Sequence, residues 1–434
     1  MKNELKGLEH YWLINAHIPV ALLVTHDLGD GEFAFVDLEI KEGAIAQIIP
    51  AGAVHSSEAP SLDLKRGQVW SCFVDLHTHL DKGHIWERSP NLHGTFENAL
   101  QTVQSDCKKN WQFEDVYRRM EFGLKCSYAH GTQAIRTHID SADGQAEISL
   151  KAFKALQQEW IDRLTLQAVS LVSLDYFLTS EGEKLADQMA EVNGILGGVL
   201  WMSDDVNTHL DRTFELAKER HLNLDFHTDE SGNPNDITLR LVAEAALRHQ
   251  FTGQIVCGHC CSLAVQAPEE AIKTIALVKQ AHIGVVSLPL CNLYLQDRQP
   301  SPRTPRWRGV TLLHELKQEG IAVAIASDNC RDPFYGFGDH DLHEVFTQAV
   351  RIAHLDAPYG DWCRTVTTTP ADLMGLPIGR IGVGLPADLV LFKARYYSEL
   401  LARPQHDRTV LRSGQPIDTE LPEYAELDDL MPRA

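Results

Sequence analysis

The feature that most constrains this chain is a regular alternation. Eight short β-rich runs are separated by intervals long enough for a helix. The runs are Val74–His79, Gln133–His138, Leu164–Leu171, Ile195–Trp201, Leu222–Thr228, Gln254–His259, Ile283–Leu288 and Val323–Asp328. Helical patterns such as Leu239–Arg248 and Glu270–Ala281 lie between them. Strand and helix alternating in this way predict an α/β fold, a (β/α)8 TIM barrel. Most strand positions are apolar, as parallel strands covered on both faces require. The flanks read differently. Residues from about Tyr11 to Val69 offer short strands with a turn at Asp27-Leu28-Gly29-Asp30-Gly31. The segment Gly379–Ser413 offers Asp388-Leu389-Val390-Leu391-Phe392 and Thr409-Val410-Leu411. Neither flank has enough apolar residues for a core of its own. The expectation is a small composite β-sandwich domain built from both chain ends, 1–69 plus 377–434, accompanying the (β/α)8 barrel over 70–376.

Charge narrows the partners. The 434 residues include 39 Lys and Arg against 60 Asp and Glu, a net charge of −21. That surplus repels phosphate backbones and anionic lipid, so no nucleic-acid partner and no membrane surface is expected. No apolar run approaches the roughly 18 residues that span a bilayer, and the charged start Met1-Lys2-Asn3-Glu4 leads into no apolar leader segment. The 9 Cys are odd in number and lack a framework spacing, which points to a reducing, cytoplasmic setting with inert thiols.

In a barrel, functional groups project from the C-terminal ends of strands. The first run closes with His77-Thr78-His79, and alternation points both imidazoles the same way. The fifth closes with His227-Thr228-Asp229-Glu230, the sixth with Gly258-His259 and the eighth with Ser327-Asp328-Asn329. Taken singly, each has a structural reading: a His-x-His is often a core pair, and a strand-end Asp often caps the next helix. Their coincidence at four ends of one ring favours function. His77, His79, His227 and Asp328 supply nitrogen and oxygen donors for a divalent metal with an open position. Such a site lowers the pKa of bound water toward about 7. Glu230, three residues beyond His227, is placed for proton transfer without being a ligand. His259 can stabilise the oxygen that develops charge.

These stretches resemble the amidohydrolase superfamily, in its cytosine-deaminase-like branch. The resemblance rests on Val74–Lys82, Arg136-Thr137-His138-Ile139-Asp140, Phe226–Glu230, Gly258-His259 and Ser327–Phe334. A tail signature, Thr369–Leu376 with Gly382 and Gly384–Val390, extends it over nearly the whole chain. It implies one Fe or Zn ion on His77, His79, His227 and Asp328. It implies that Glu230 carries a proton to a ring nitrogen, while His259 and Asp328 orient the hydroxide and ammonia leaves. Gln167 matches a glutamine that hydrogen-bonds a pyrimidine's amide edge, and Phe334 matches an aromatic pocket position. Similar enzymes form homo-oligomers, so a homo-oligomer is expected.

Two departures bear on the substrate. Asn329 stands where the branch often has a second acid, and an amide presents both donor and acceptor to the ring. Lys82, with His84, can meet an anionic or carbonyl-rich ring, or else be a surface lysine on a loop. The fourth run, Asn193–Trp201, lacks the lysine that two-metal relatives carbamylate, which favours one metal. Cys257-Gly258-His259-Cys260 spells a redox motif, but on a strand its sulfurs face opposite sides. His340 and His343 lack the His-Glu-x-x-His order and are expected to face solvent or border the pocket. The leading expectation is deamination of a small-molecule heterocycle, cytosine or a similar pyrimidine, with isocytosine-, triazine- and purine-like rings kept open. The rivals are a cyclic-amide or N-substituted amino-triazine hydrolase of the same superfamily, and a non-catalytic ligand-binding protein on this fold.

Overall fold

The computed structural model describes residues 2–25, 31–299 and 303–431. The turn expected at Asp27–Gly31 lies, except for Gly31, outside the described residues. Contacts divide the chain into two units. One comprises Met1–Val74, Cys126–Gln133 and Asp341–Leu421; the other comprises Asp75–Lys125, Ala134–His340 and Pro422–Ala434.

The first unit holds two four-stranded sheets. One runs Ala44–Pro50, Phe33–Lys41, His10–Pro19 and Ser61–Asp63 in spatial order. The other runs Gln415–Pro416, Thr409–Arg412, Leu389–Leu391 and Val69–Ser71. Leu389–Leu391 pairs antiparallel with Val69–Ser71, so residues more than three hundred positions apart in sequence share one ladder. Trp70 is buried and packs edge-on against Phe346, Phe392 and Tyr397. A buried indole of this size contributes far more apolar area than either flank could cover alone.

Most of the second unit is an α/β array of parallel strands. They are β1 (Phe73–Thr78), β2 (Thr132–Asp140), β3 (Thr165–Leu171), β4 (Leu196–Val199), β5 (Leu224–Thr228), β6 (Ile255–His259), β7 (Gly284–Ser287) and β8 (Val323–Ile325). β1, β2 and β3 form one sheet, and β4 to β8 form another in sequential order. Parallel bridges at Val169–Ile195 and Ser173–Val199 connect β3 to β4, and one at Thr78–Asp328 connects the ends of β1 and β8. Every residue of β1, β5, β6 and β7 is buried, which accounts for the mostly apolar character of those runs. The intervening helices bury one face. In Val206–Glu219 the residues Val206, Leu210, Phe214 and Ala217 are buried, at the spacing of a single helical stripe. Burial of a side chain such as Phe214 stabilises by about 1.5–3 kcal/mol.

Two strands stop two or more residues before their expected C-terminal ends. β4 stops at Val199, so Trp201 lies beyond it, and β8 stops at Ile325, so Asp328 follows three residues later. Among the described residues no helix is long and apolar enough to cross a membrane. All nine cysteines are free, Cys257 and Cys260 included.

Candidate active site

The strand ends turn their functional side chains inward by local backbone geometry. His259 leaves β6 with φ of 67°, and Asp328 follows β8 with φ of 64°, both in the left-handed region. Gly258 is required between them and β1, because a Cβ there would stand 3.0 Å from the His77 ring. Asp229 is withdrawn from the chemistry. Its carboxylate accepts from Thr238 N at 2.5 Å and Leu239 N at 3.2 Å, at the start of the helix Thr238–Arg248. That leaves His227 and Glu230, on either side of it, free to serve the cavity.

Four donors converge. His77 Nε2 lies 3.2 Å from His227 Nε2, and His227 Nε2 lies 3.3 Å from His79 Nε2. Asp328 Oδ1 is 3.2 Å from His79 Nε2 and 3.6 Å from His77 Nε2. Tetrahedral bonds of about 2.1 Å separate neighbouring ligand atoms by about 3.4 Å. The four atoms therefore fit the edges of one coordination tetrahedron. Burial, then neighbouring charges, hold all three histidines well below their ordinary pKa, so they are in the neutral, ligating form. Buried Asp328 has no hydrogen-bond donor stronger than the weak Cys291 thiol, and burial pushes its carboxyl up to about 8. A carboxylate so placed is stable only beside a cation. The donor set fits a divalent metal.

Glu230 and His259 flank this set. Glu230 Oε1 is 3.4 Å from His259 Nδ1, and burial plus the Asp328 charge hold the Glu230 carboxyl well above the ordinary value. Burial drops His259 to about 3, so its ring is neutral. Asn292 Nδ2 donates to His259 Nδ1 at 3.0 Å, which leaves the ring proton on Nε2. His77, His259 and Asp328 each place a donor atom within 4.8 Å of the others, so the His259 ring belongs to the same cluster.

A cavity of about 490 Å³ opens on these groups. His79, His227, Glu230, His259 and Asp328 line it together with Lys82, Asn329 and Phe334. Lys82 is buried, not a surface residue, and its Nζ sits 2.7 Å from Asp140 and 5.3 Å above the Phe334 ring. Asn329 donates its amide to Asp332 at 2.7 Å. Phe96 packs edge-on against both Trp201 and Phe334, giving the cavity an aromatic wall.

Three expectations are corrected by this geometry. Gln167 is the third residue of β3, at the end remote from the strand terminus, and it does not line the cavity. Its Oε1 accepts from Arg136 at 3.0 and 3.1 Å, while Arg136 also pairs with Asp225 at 2.8 Å. His84 likewise does not line the cavity. His340 and His343 are both buried and neither borders it; His343 Nε2 is 3.1 Å from the Leu400 carbonyl. Sequence reasoning also missed contributors. The His138 ring lies against His77, tilted by 37° with centroids 3.9 Å apart, and its place at the end of a β-rich run was the available sign. Asp140, which ends β2, and Trp201, which closes the fourth β-rich run, carried the same sign, whereas Asn292 and Phe96 had none because each belongs to a helix.

Neutral imidazoles and a carboxylate gathered at the ends of parallel strands define a metal-dependent hydrolase. The Amidohydrolase family (Amidohydro_3) matches residues 118–418, and the chain belongs to that family, whose members hydrolyse C–N bonds. It is 49% identical over 423 residues to a pterin deaminase of Rhizobium rhizogenes strain K84, covering 96% of each chain. It is 25% identical over 349 residues to the N-isopropylammelide isopropyl amidohydrolase of Pseudomonas sp. strain ADP, covering 77% of this chain and 81% of that one. Its fold is similar to the crystal structure of 5-methylcytosine deaminase from Klebsiella pneumoniae liganded with 5-fluorocytosine. The TM-score is 0.80 at 25% identity, over 94% of this chain and 97% of the other.

Proposed function

We propose that this chain is a metal-dependent deaminase of a fused, pterin-like aminoheterocycle. The observation that carries the deaminase reading is the placement of Glu230 and His259 on either side of the ligand set His77, His79, His227 and Asp328. The ring system follows from the pterin deaminase that matches along almost the whole chain. The aromatic wall suits a flat bicyclic ring, and the cavity volume is in the ordinary range for small-molecule sites. We also propose that the bridges at Thr78–Asp328 and Val169–Ile195 close the eight strands into a barrel. The hydrolase domain would then lie mostly within Asp75–His340, and the two four-stranded sheets of the first unit would form the β-sandwich.

A divalent ion, zinc or iron, held by those four residues supplies a water nucleophile activated at neutral pH. His259 Nε2–H and the Asp328 carboxylate orient the attacking oxygen toward the amino-bearing carbon. Glu230 takes the proton released in attack and delivers it to the adjacent ring nitrogen. A C–O bond forms, the C–N bond breaks, and the amino group leaves as ammonia after gaining a proton through Glu230 and Asp328. Lys82 faces the carbonyl-bearing part of the ring, and Phe334, Phe96 and Trp201 hold its plane.

A second reading is cytosine or a related pyrimidine, favoured by the similarity to 5-methylcytosine deaminase. Ammonia release from pterin, cytosine, 5-methylcytosine and an aminotriazine, each on zinc- and iron-loaded protein, tests both. Pterin is expected to give the highest kcat/KM. A higher value for cytosine would replace the pterin reading with the pyrimidine one.

A further inference from the structure

A second group of metal-type donors lies outside the cavity lining. His84, Cys330 and His340 are all buried, and one donor atom from each falls within 4.8 Å of the others. His84 Nε2 and His340 Nε2 are 3.3 Å apart. None of the three lines the cavity or takes part in the reaction proposed above.

The surroundings are built around this group. His84 and His340 both adopt left-handed backbone, with φ of 62° and 55°, a conformation that costs a side-chain-bearing residue energy. Gly123 sits inside the helix Phe113–His130, where glycine is unfavourable by about 1 kcal/mol. A Cβ there would come within 2.8 Å of Leu80 Cδ2 and 3.0 Å of His340 Nε2. The glycine thus makes room for the His340 ring. Phe122 packs edge-on against His84 with centroids 4.8 Å apart. His84 N donates to the Cys330 carbonyl at 3.1 Å, so the two segments are already in register.

We propose that His84 Nε2, His340 Nε2 and Cys330 Sγ form a zinc site distinct from the catalytic one. The separation of the two imidazole nitrogens matches the roughly 3.4 Å edge of a tetrahedron with bonds of about 2.1 Å. One thiolate with two imidazoles is a donor set that selects zinc over harder cations such as magnesium or calcium. On binding, the Cys330 thiol gives its proton to solvent and forms the S–Zn bond, and water completes the tetrahedron. The ion ties the segment that follows His77 and His79 to the segment that carries Asp328, Asn329 and Phe334. It is a positioning site, holding the β1 and β8 parts of the catalytic constellation in register, and it does not depend on which heterocycle is the substrate.

Elemental analysis and cobalt substitution of the full-length folded protein test this. Zinc-loaded, desalted wild-type protein is expected to retain two equivalents per chain. Cys330→Ser and His340→Gln are each expected to retain one, and His227→Gln is expected to keep the ion on Cys330. Cobalt(II)-loaded wild type is expected to show a thiolate-to-metal band in the near ultraviolet, present in His227→Gln and absent in Cys330→Ser. The catalytic set contains no thiolate, so the band reports this site alone. A single zinc equivalent in wild type, or no thiolate band in its cobalt form, overturns the proposal without any variant having to fold. An undiminished band in Cys330→Ser overturns it as well.

Discussion

Lys82 Nζ lies 2.7 Å from Asp140 Oδ1, and both residues line the active-site cavity. One follows β1 and the other ends β2, so neighbouring strands present an ion pair to the substrate. Burial alone would lower the Lys82 pKa, but Asp140 and Asp81 outweigh it and raise it above the ordinary value. The ammonium therefore stays charged inside the cavity. Lys82→Met is expected to raise KM by about 10–100-fold, the worth of a hydrogen bond to a charged group. Metal content should not change. Steady-state kinetics with elemental analysis checks this, and an unaltered KM would remove Lys82 from substrate contact.

Glu230→Gln keeps the shape of the cavity and removes the proton carrier. Turnover is expected to fall by about 10²–10⁴-fold while the metal is retained. The check is kcat measured on protein whose metal content matches wild type. Wild-type turnover in that variant would reassign the proton transfer to another group.

His227→Gln breaks the contacts at 3.2 and 3.3 Å that join the strand-one histidines to β5. The catalytic metal should be lost and activity with it. Chelation of the wild-type protein should lower Tm as well as activity, because an ion bound only by the folded state stabilises that state. Calorimetry before and after zinc is restored provides the measurement.

Gln167→Ala is expected to leave KM and ring preference within about twofold, since Gln167 does not line the cavity. Its effect should appear in stability, at about 1–3 kcal/mol, because Arg136 loses a buried hydrogen-bond acceptor. Denaturant titration measures the loss. A changed substrate profile would place Gln167 back in the pocket.

Acid sensitivity should be traceable to Asp341. Burial would raise its pKa, but the Arg408 guanidinium and His130 outweigh burial and hold the carboxyl far below the ordinary value. The folded pKa thus lies below the unfolded one of about 3.9. The resulting stability is fully present above about pH 4 and is lost as the pH falls below it toward the folded pKa. Asp341→Asn should lose that acid dependence. It should also lose about 3–5 kcal/mol at neutral pH, because Arg408 is left buried without its counter-charge. Tm followed across acid pH separates the two effects.

The legible part of the site was the part written within single strands. His77 and His79 share a face because strands alternate, and His227, Glu230, His259 and Asp328 were visible as polar endings of apolar runs. Gln167 entered only through the resemblance, and its place as the third residue of β3, well before Leu171, sets it outside the cavity lining. Trp201 was read as strand and is instead a cavity wall beyond β4. His84 was paired with Lys82 because they are close in sequence, yet left-handed backbone at His84 accompanies its placement with Cys330 and His340 and outside the cavity lining.

By itself, the sequence determined the α/β class and the family and supplied the proposed ligand set, because strand period and strand-end chemistry are local properties that repeat along the chain. Tertiary structure alone decided that Asn292 fixes the His259 proton, that Asp140 holds Lys82, and that His84, Cys330 and His340 meet. Each of these depends on at least one contact between residues 33 or more positions apart, and side-chain contacts at that range depend on how strands and loops pack in space, which no local pattern encodes.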